Sequence, residues 1–476
     1  MTYYIYKGGD NSNAGTREKP LLSVAEALDR VRWQPYERAY FIISGSLTQA
    51  ASRHGMIAIT GPGLPEIFLQ AGSAKRPCIL SAKGLNQRVM YIGEGNTLSI
   101  GENIIIRDGV RKEGGAGIAI DGGKLIMRGG EISNNDGCTG MSGGVYVGKG
   151  SEFIMEGGLI TRNKTKMHGG GVFPDDGGVF ILRGGTIAYN EAAISGGGVF
   201  VGPDAEFIMS GGSIEKNLAG GELIVAINNV VLPYGYGGGV AVSEQARFIM
   251  QGGAISRNRA FVVEPRGEKA GSGGGVAVEK DGAFILDQGC IAGNDVRYWG
   301  GGVYSEGELT IMPESIIRDN HADLGGGGVT ARGSQAVFTM HGGLLMNNTT
   351  GGTGGAIHVR ESASCMIQKG LIAQNIAGEA GNALAIDGEV IVNGGIIGDN
   401  EAASFVPDEE EKETAAASWG THGIAIVIED SGKLILQGGQ IDGNIVKRDG
   451  GQVEDRRLEA ELLAAPQPPE DSGKDV

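Results

Sequence analysis

The feature that most constrains this chain is an asparagine that returns at a near-fixed interval. Asn135, Asn163, Asn190, Asn217, Asn258, Asn294, Asn320, Asn348, Asn375, Asn400 and Asn444 close successive copies of one module, and most steps between them are 25 to 28 residues. The copy at 195–217, SGGGVFVGPDAEFIMSGGSIEKN, shows the plan. A glycine run (Gly196, Gly197, Gly198) precedes Val199, Phe200 and Val201; a polar turn leads to Phe207, Ile208 and Met209; a glycine pair, Ile214 and Asn217 finish it. Three steps are longer, 217 to 258, 258 to 294 and 400 to 444, yet Val172 to Asn190, Val199 to Asn217, Val240 to Asn258 and Val276 to Asn294 are each 18 residues. The added residues therefore enter at one corner, between the Asn and the next glycine run, as loops do in stacked coils.

Short segments of period-two alternation between Gly and Asn turns exclude helical repeats. The period predicts an all-β fold, a parallel β-helix with about three short strands per coil. The coils stack at about 4.8 Å each. The Asn side chains are expected inside, each amide bonded to the next in a ladder. Phe207 and Met209 share one face and Ile208 takes the other. Two bulky residues per coil then face the core. Ile126, Ile154, Ile181, Ile208, Ile249, Ile285 and Ile435 face outward as a stripe, interrupted by Thr339. Two readings of the stripe stay open: a contact surface for self-association, or β-branched residues packing along the stack.

The net charge of −16 argues against nucleic acid, polyanions or anionic membrane as partners. No stretch is apolar enough to span a bilayer. Residues 1–6 have neither the basic start nor the apolar core of a signal peptide. The expectation is an extracellular or cell-surface protein whose export signal lies outside this chain, with a cytoplasmic location as the alternative. The four cysteines lie far apart, so no disulfide framework is expected. Cys365 takes a slot that Phe fills elsewhere and should be a buried thiol. No zinc spacing and no calcium-binding nonapeptide is present, so no metal and no cofactor is expected.

Residues 1–38 read as a terminal unit: a strand at 3–6, a polar loop, and a helix at 23–33 opened by Ser23 and Glu26 at capping-box spacing. Its face of Val24, Ala27, Leu28 and Val31 suits the open end of a coil stack. The stretch YYIYKGGDNSNAGTREKPLLSVAEAL, with Gly15-Thr16-Arg17-Glu18-Lys19-Pro20, resembles the start of many right-handed β-helix proteins of the pectin-lyase-like superfamily. That resemblance implies the right-handed sense and leaves activity open, because the superfamily includes lyases, glycoside hydrolases, epimerases, adhesins and inert surface proteins. The GGGV and IxxN repeats are also similar to those of bacterial surface β-helices. The β-helix is expected over 39–448, and 449–476 as a closing unit with a short helix at 454–465 (Leu458 and Leu462 inward) and a disordered tail.

Corner inserts are where coils usually acquire function. The inserts at 218–236 and 259–272 should lie side by side, next to Arg297, Tyr298 and Trp299. The candidate ligand site is therefore Tyr234, Tyr236, Arg266, Lys269, Arg297, Tyr298 and Trp299, exposed rings beside polar groups that suit sugar faces. Asp175, Asp176, Asp204, Glu206, Glu244, Glu279 and Asp281 recur in one turn and read as a solvated edge. No catalytic set is assigned. The leading expectation is a non-catalytic, adhesin-like surface protein that presents loops to a glycan or protein. The alternatives are a carbohydrate-active enzyme (lyase or hydrolase), which a convergent acid pair in a groove would favour, and a self-associating structural protein.

Overall fold

The structure is a computed structural model that describes residues 1–48, 56–111, 114–221, 226–227, 230–231, 235–262, 271–400, 424–429, 431–448 and 450–457. The chain winds into a parallel β-helix. Each regular coil carries four strands, for example Val145–Val147, Glu152–Met155, Leu159–Thr161 and Lys164–Thr165. That is one more than the sequence suggests. The fourth is a two-residue strand after the Asn, too short to show alternation. Among the described residues the first-row strands form a 14-stranded sheet and the fourth-row strands an 8-stranded sheet. The second and third rows merge into a 27-stranded sheet. They merge because strands such as Arg247–Ser256 and Ala283–Ala292 turn from one row into the next without a break.

Register follows the repeat. Phe153 pairs with Phe180, Phe180 with Phe207, Phe207 with Phe248 and Phe248 with Phe284. Their rings stack inside at centroid spacings of 4.6 to 4.9 Å, one coil per ring. Cys365 replaces the ring above Phe338, is buried, and burial pushes its thiol well above the ordinary range. None of the four cysteines forms a disulfide.

The Asn ladder runs from Asn135 to Asn400. In each step one Nδ2 donates to the Oδ1 of the next Asn, as from Asn190 to Asn217 at 3.0 Å, and the backbone N–H donates to the same oxygen. Asn444 does not belong to it. It is exposed and begins the strand Asn444–Lys447. The outward isoleucines are partly covered, with Ile154 and Ile435 each 6% exposed.

The first strand, β1 (Thr2–Tyr6), pairs parallel with β2 (Arg38–Ser44). Helix α1 (Val24–Val31) is capped by Ser23, whose side chain accepts from the Glu26 N–H at 3.2 Å. Its Val24, Ala27, Leu28 and Val31 are buried, and the helix packs on β2 and on Ile57–Ile59. At the far end, Gln452–Asp455 is a strand paired with Lys433–Leu436, not the start of the expected helix. Leu458 and Leu462 lie outside the described residues. No described helix is long and apolar enough to cross a membrane.

Candidate functional site

In each first-row strand the outer two residues point into the coil and the middle one points out. Those middle residues form a column: Tyr91, Ala119, Tyr146, Phe173, Phe200, Ala241, Ala277, Tyr304, Thr330, His358, Ala385 and Val427. Outward residues of a coil are normally solvated, but Ala277 is 1% and Tyr304 2% exposed. The column is the floor of a cleft. One wall is a ladder of single bridges from His168 through Ser195, Tyr236, Ser272 and Trp299 to Gly325 and Thr353. The other wall is the turn after each strand, with Asp175, Glu279, Glu306, Arg332 and Arg360. The glycine run makes this possible. A Cβ on Gly197 would sit 2.4 Å from the Leu218 carbonyl oxygen of the fourth-row strand, so only glycine fits where the chain passes between that row and the cleft.

From Tyr91 to Tyr304 the floor is aromatic except at Ala119 and at Ala241 and Ala277, and a recess opens at each of these two interruptions. Tyr146, Phe173 and Phe200 meet edge to face at 5.7 and 5.0 Å. Beyond Phe200 come Ala241 and Ala277, then Tyr304. The resulting recess, about 420 Å³, is lined by His168, Tyr236, Glu244, Glu279, Tyr304 and Glu306 among others. A second recess of about 480 Å³ opens over Ala119, between Tyr91 and Tyr146, with Arg88, Arg111 and Lys149 on its margins.

The first recess carries the perturbed groups. Burial first, then the Glu244 and Glu306 carboxylates, push Glu279 up to about 7. The Tyr304 hydroxyl donates to Glu306 Oε1 at 2.5 Å, and burial raises its pKa strongly. Burial alone pushes His168 down to about 4. Its ring lies 4.5 Å from that of Phe200, and its Nδ1 has no hydrogen-bond partner among the described residues. Asp175 accepts from the Tyr146 hydroxyl at 3.1 Å, and burial raises its pKa. The reading of this acidic row as a wholly solvated edge is therefore corrected at Asp175 and Glu279. It holds at Asp176, Asp204, Glu244 and Asp281, which are exposed. Among the described residues no three His, Cys, Asp or Glu side chains converge on a metal position.

The sequence-derived cluster divides. Tyr236 lines the recess, with its ring 6.0 Å from that of Tyr304. Trp299 stands two steps along the same wall, with the guanidinium groups of Arg360 and Arg332 at 4.2 and 5.3 Å from its ring and Tyr298 beside it at 5.3 Å. Arg297 pairs with Asp323 of the next coil at 3.2 Å. Tyr234, Arg266 and Lys269 lie outside the described residues. The two inserts do begin side by side, since Leu218–Gly221 pairs with Arg259–Val262. Sequence reasoning missed His168, Glu244, Glu279, Tyr304 and Glu306 as a group. The signal that could have found them is a pair of alanines in a column otherwise largely aromatic. Compared with family models, curated proteins and solved structures, the chain matches none.

Proposed function

We propose that the protein binds an extended carbohydrate chain along the outward cleft, with the recess at Ala241 and Ala277 as the anchoring subsite. The observation that carries this reading is the composition of that recess. Two tyrosines, a neutral imidazole, three glutamate carboxyl groups and Lys280 surround a floor that carries only an alanine methyl. Ring faces take the C–H side of a sugar, and carboxylate, imidazole and phenol groups take its hydroxyls. The aromatic floor from Tyr146 to Phe200 continues the track toward the second recess. Titration with an oligosaccharide panel tests it. Tyr236→Ala and Tyr304→Ala should each weaken the best ligand at least about tenfold, the scale of one lost aromatic contact. Unchanged affinity in both would remove the cleft from the account.

A second reading rests on Glu279. A carboxyl held protonated near neutrality beside ionised carboxylates is the division of labour that glycoside hydrolysis needs, a general acid and a partner base or nucleophile. Reducing ends released by the wild type and abolished in Glu279→Gln would establish it. Binding without release leaves the non-catalytic reading.

A further inference from the structure

The corner just before each ladder Asn has a left-handed backbone, where Gly, Asn and Asp sit at least cost. Five of the ten ladder coils obey, with Asn134, Gly293, Asp319, Asn347 and Asp399, and Gln374 departs in an isolated copy. Four consecutive coils do not. They place Arg162, Tyr189, Lys216 and Arg257 there, at φ of 54, 57, 54 and 55°. Unfavourable side chains kept in a strained conformation on neighbouring coils mark side chains retained for what they contact. They form one strip, exposed at Arg162, Tyr189 and Arg257 and half-buried at Lys216. Tyr189 is 50% exposed, with the Arg162 guanidinium 5.8 Å and the Lys216 ammonium 5.2 Å from its ring. Arg257 and Lys216 share Glu215 at 3.4 and 3.6 Å. Lys164 and Arg259 extend the cationic character and Glu191 opposes it.

A second left-handed row lies on a different corner of the same region, after the first-row strands: Asp176, Asp204, Gln245 and Asp281. With Glu244 beside Gln245 it is exposed and acidic, despite Lys149, Arg247 and Lys280 nearby. Lys149 lies 3.4 Å from Asp176, and Gln335 donates to Asp281 at 3.0 Å. Both rows share the coil rise, so their side chains repeat at one spacing.

We infer that the Arg162–Tyr189–Lys216–Arg257 strip docks a second copy of this chain through that copy's acidic corner. With the two stacks parallel and offset by one coil, Arg162 meets Asp176, Tyr189 offers its hydroxyl to Asp204, Lys216 meets Glu244, and Arg257 meets Asp281. Tyr and Arg are the side chains that dominate interface energetics. The exposed pairs that hold these groups within one chain exchange at little cost. The contact is heterologous, so it generates rings or open lateral arrays rather than a twofold dimer. The acidic corner borders the glycan cleft, since Glu244 lines its anchoring recess and Asp176 its second recess, whereas the cationic strip lies outside both.

Sedimentation velocity from about 0.01 M to about 1 M salt tests it. Wild type should associate at low salt and dissociate at high salt. Arg162→Asn with Lys216→Asn and Arg257→Asn should be monomeric throughout, with a higher Tm because Asn relieves the strained positions. Changing the same three residues to Glu, or Asp176, Asp204 and Asp281 to Lys, should abolish association in each protein alone, and mixing the two should restore it. A wild type that stays monomeric at low salt, or association that survives the Asn changes, overturns the proposal. The salt series on wild type alone decides if the swapped chains do not fold.

Discussion

At the scale of single residues, the Asn ladder and Glu279 show opposite uses of burial. Asn217 donates from Nδ2 to Asn258 and to the Ile187 carbonyl, and accepts from the amide and side chain of Asn190. Asn217→Ala leaves these buried groups unpaired and should cost on the order of 3–5 kcal/mol. Asn444→Ala, at an exposed residue, should stay within about 0.5 kcal/mol. Urea denaturation of both distinguishes a ladder residue from a mere repeat of the letter. Glu279 is destabilising when ionised. Its folded pKa of about 7 lies above the ordinary glutamate value of 4.5. The native state therefore binds the proton more tightly, and stability is lost as pH rises between those two values. The loss is on the order of 3 kcal/mol. Glu279→Gln should thus be more stable than wild type at pH above about 7, with the gap closing below about 4.5. A gap that does not change with pH would contradict the buried-carboxylate description.

At the scale of elements, the coil period, the inward Phe and Met positions and the ladder were legible because each repeats many times. What repeats once was not. The stretch at 454–465 reads as a helix by composition, but the open edge of Lys433–Leu436 takes Glu454 and Asp455 into the strand Gln452–Asp455; Arg457 is helical, and 458–465 lie outside the described residues. Unpaired strand edges outweigh local propensity at a stack end. The site was partly legible. Aromatics near the inserts pointed to Tyr236 and Trp299, which do stand on the cleft wall. The cleft itself was hidden because alternation marks the middle residue of a first-row strand as outward. Alternation carries no information on whether two flanking walls then bury that residue. Alanine in that column acts through the space it leaves. Ala277→Phe should fill the recess while its inward neighbours Val276 and Val278 keep the main core intact.

At the scale of the whole molecule, the stack is a ruler. One core runs its length from Tyr3 to Leu436, so side chains on each face are placed at a fixed rise. Under the proposed function, the cleft applies that regularity to a polymer with its own repeat. The two alanine recesses lie five coil steps apart from Ala119 to Ala277, roughly 24 Å. A ligand that reaches both gains from being long. Shortening it should cost affinity in steps rather than smoothly. Calorimetric titration of a length series of the best oligosaccharide checks this. A ligand no longer than the anchoring recess that binds as tightly as the longest would remove the second recess from the track.

The most direct measurement is calorimetric titration of wild type and Ala277→Phe, both shown by circular dichroism to be folded, with the best oligosaccharide of the panel. The account predicts saturable binding by wild type and a loss of at least about a hundredfold when the recess is filled, close to 3 kcal/mol. Equal affinity in the two proteins would place the binding surface elsewhere on the coils and contradict the cleft as the site.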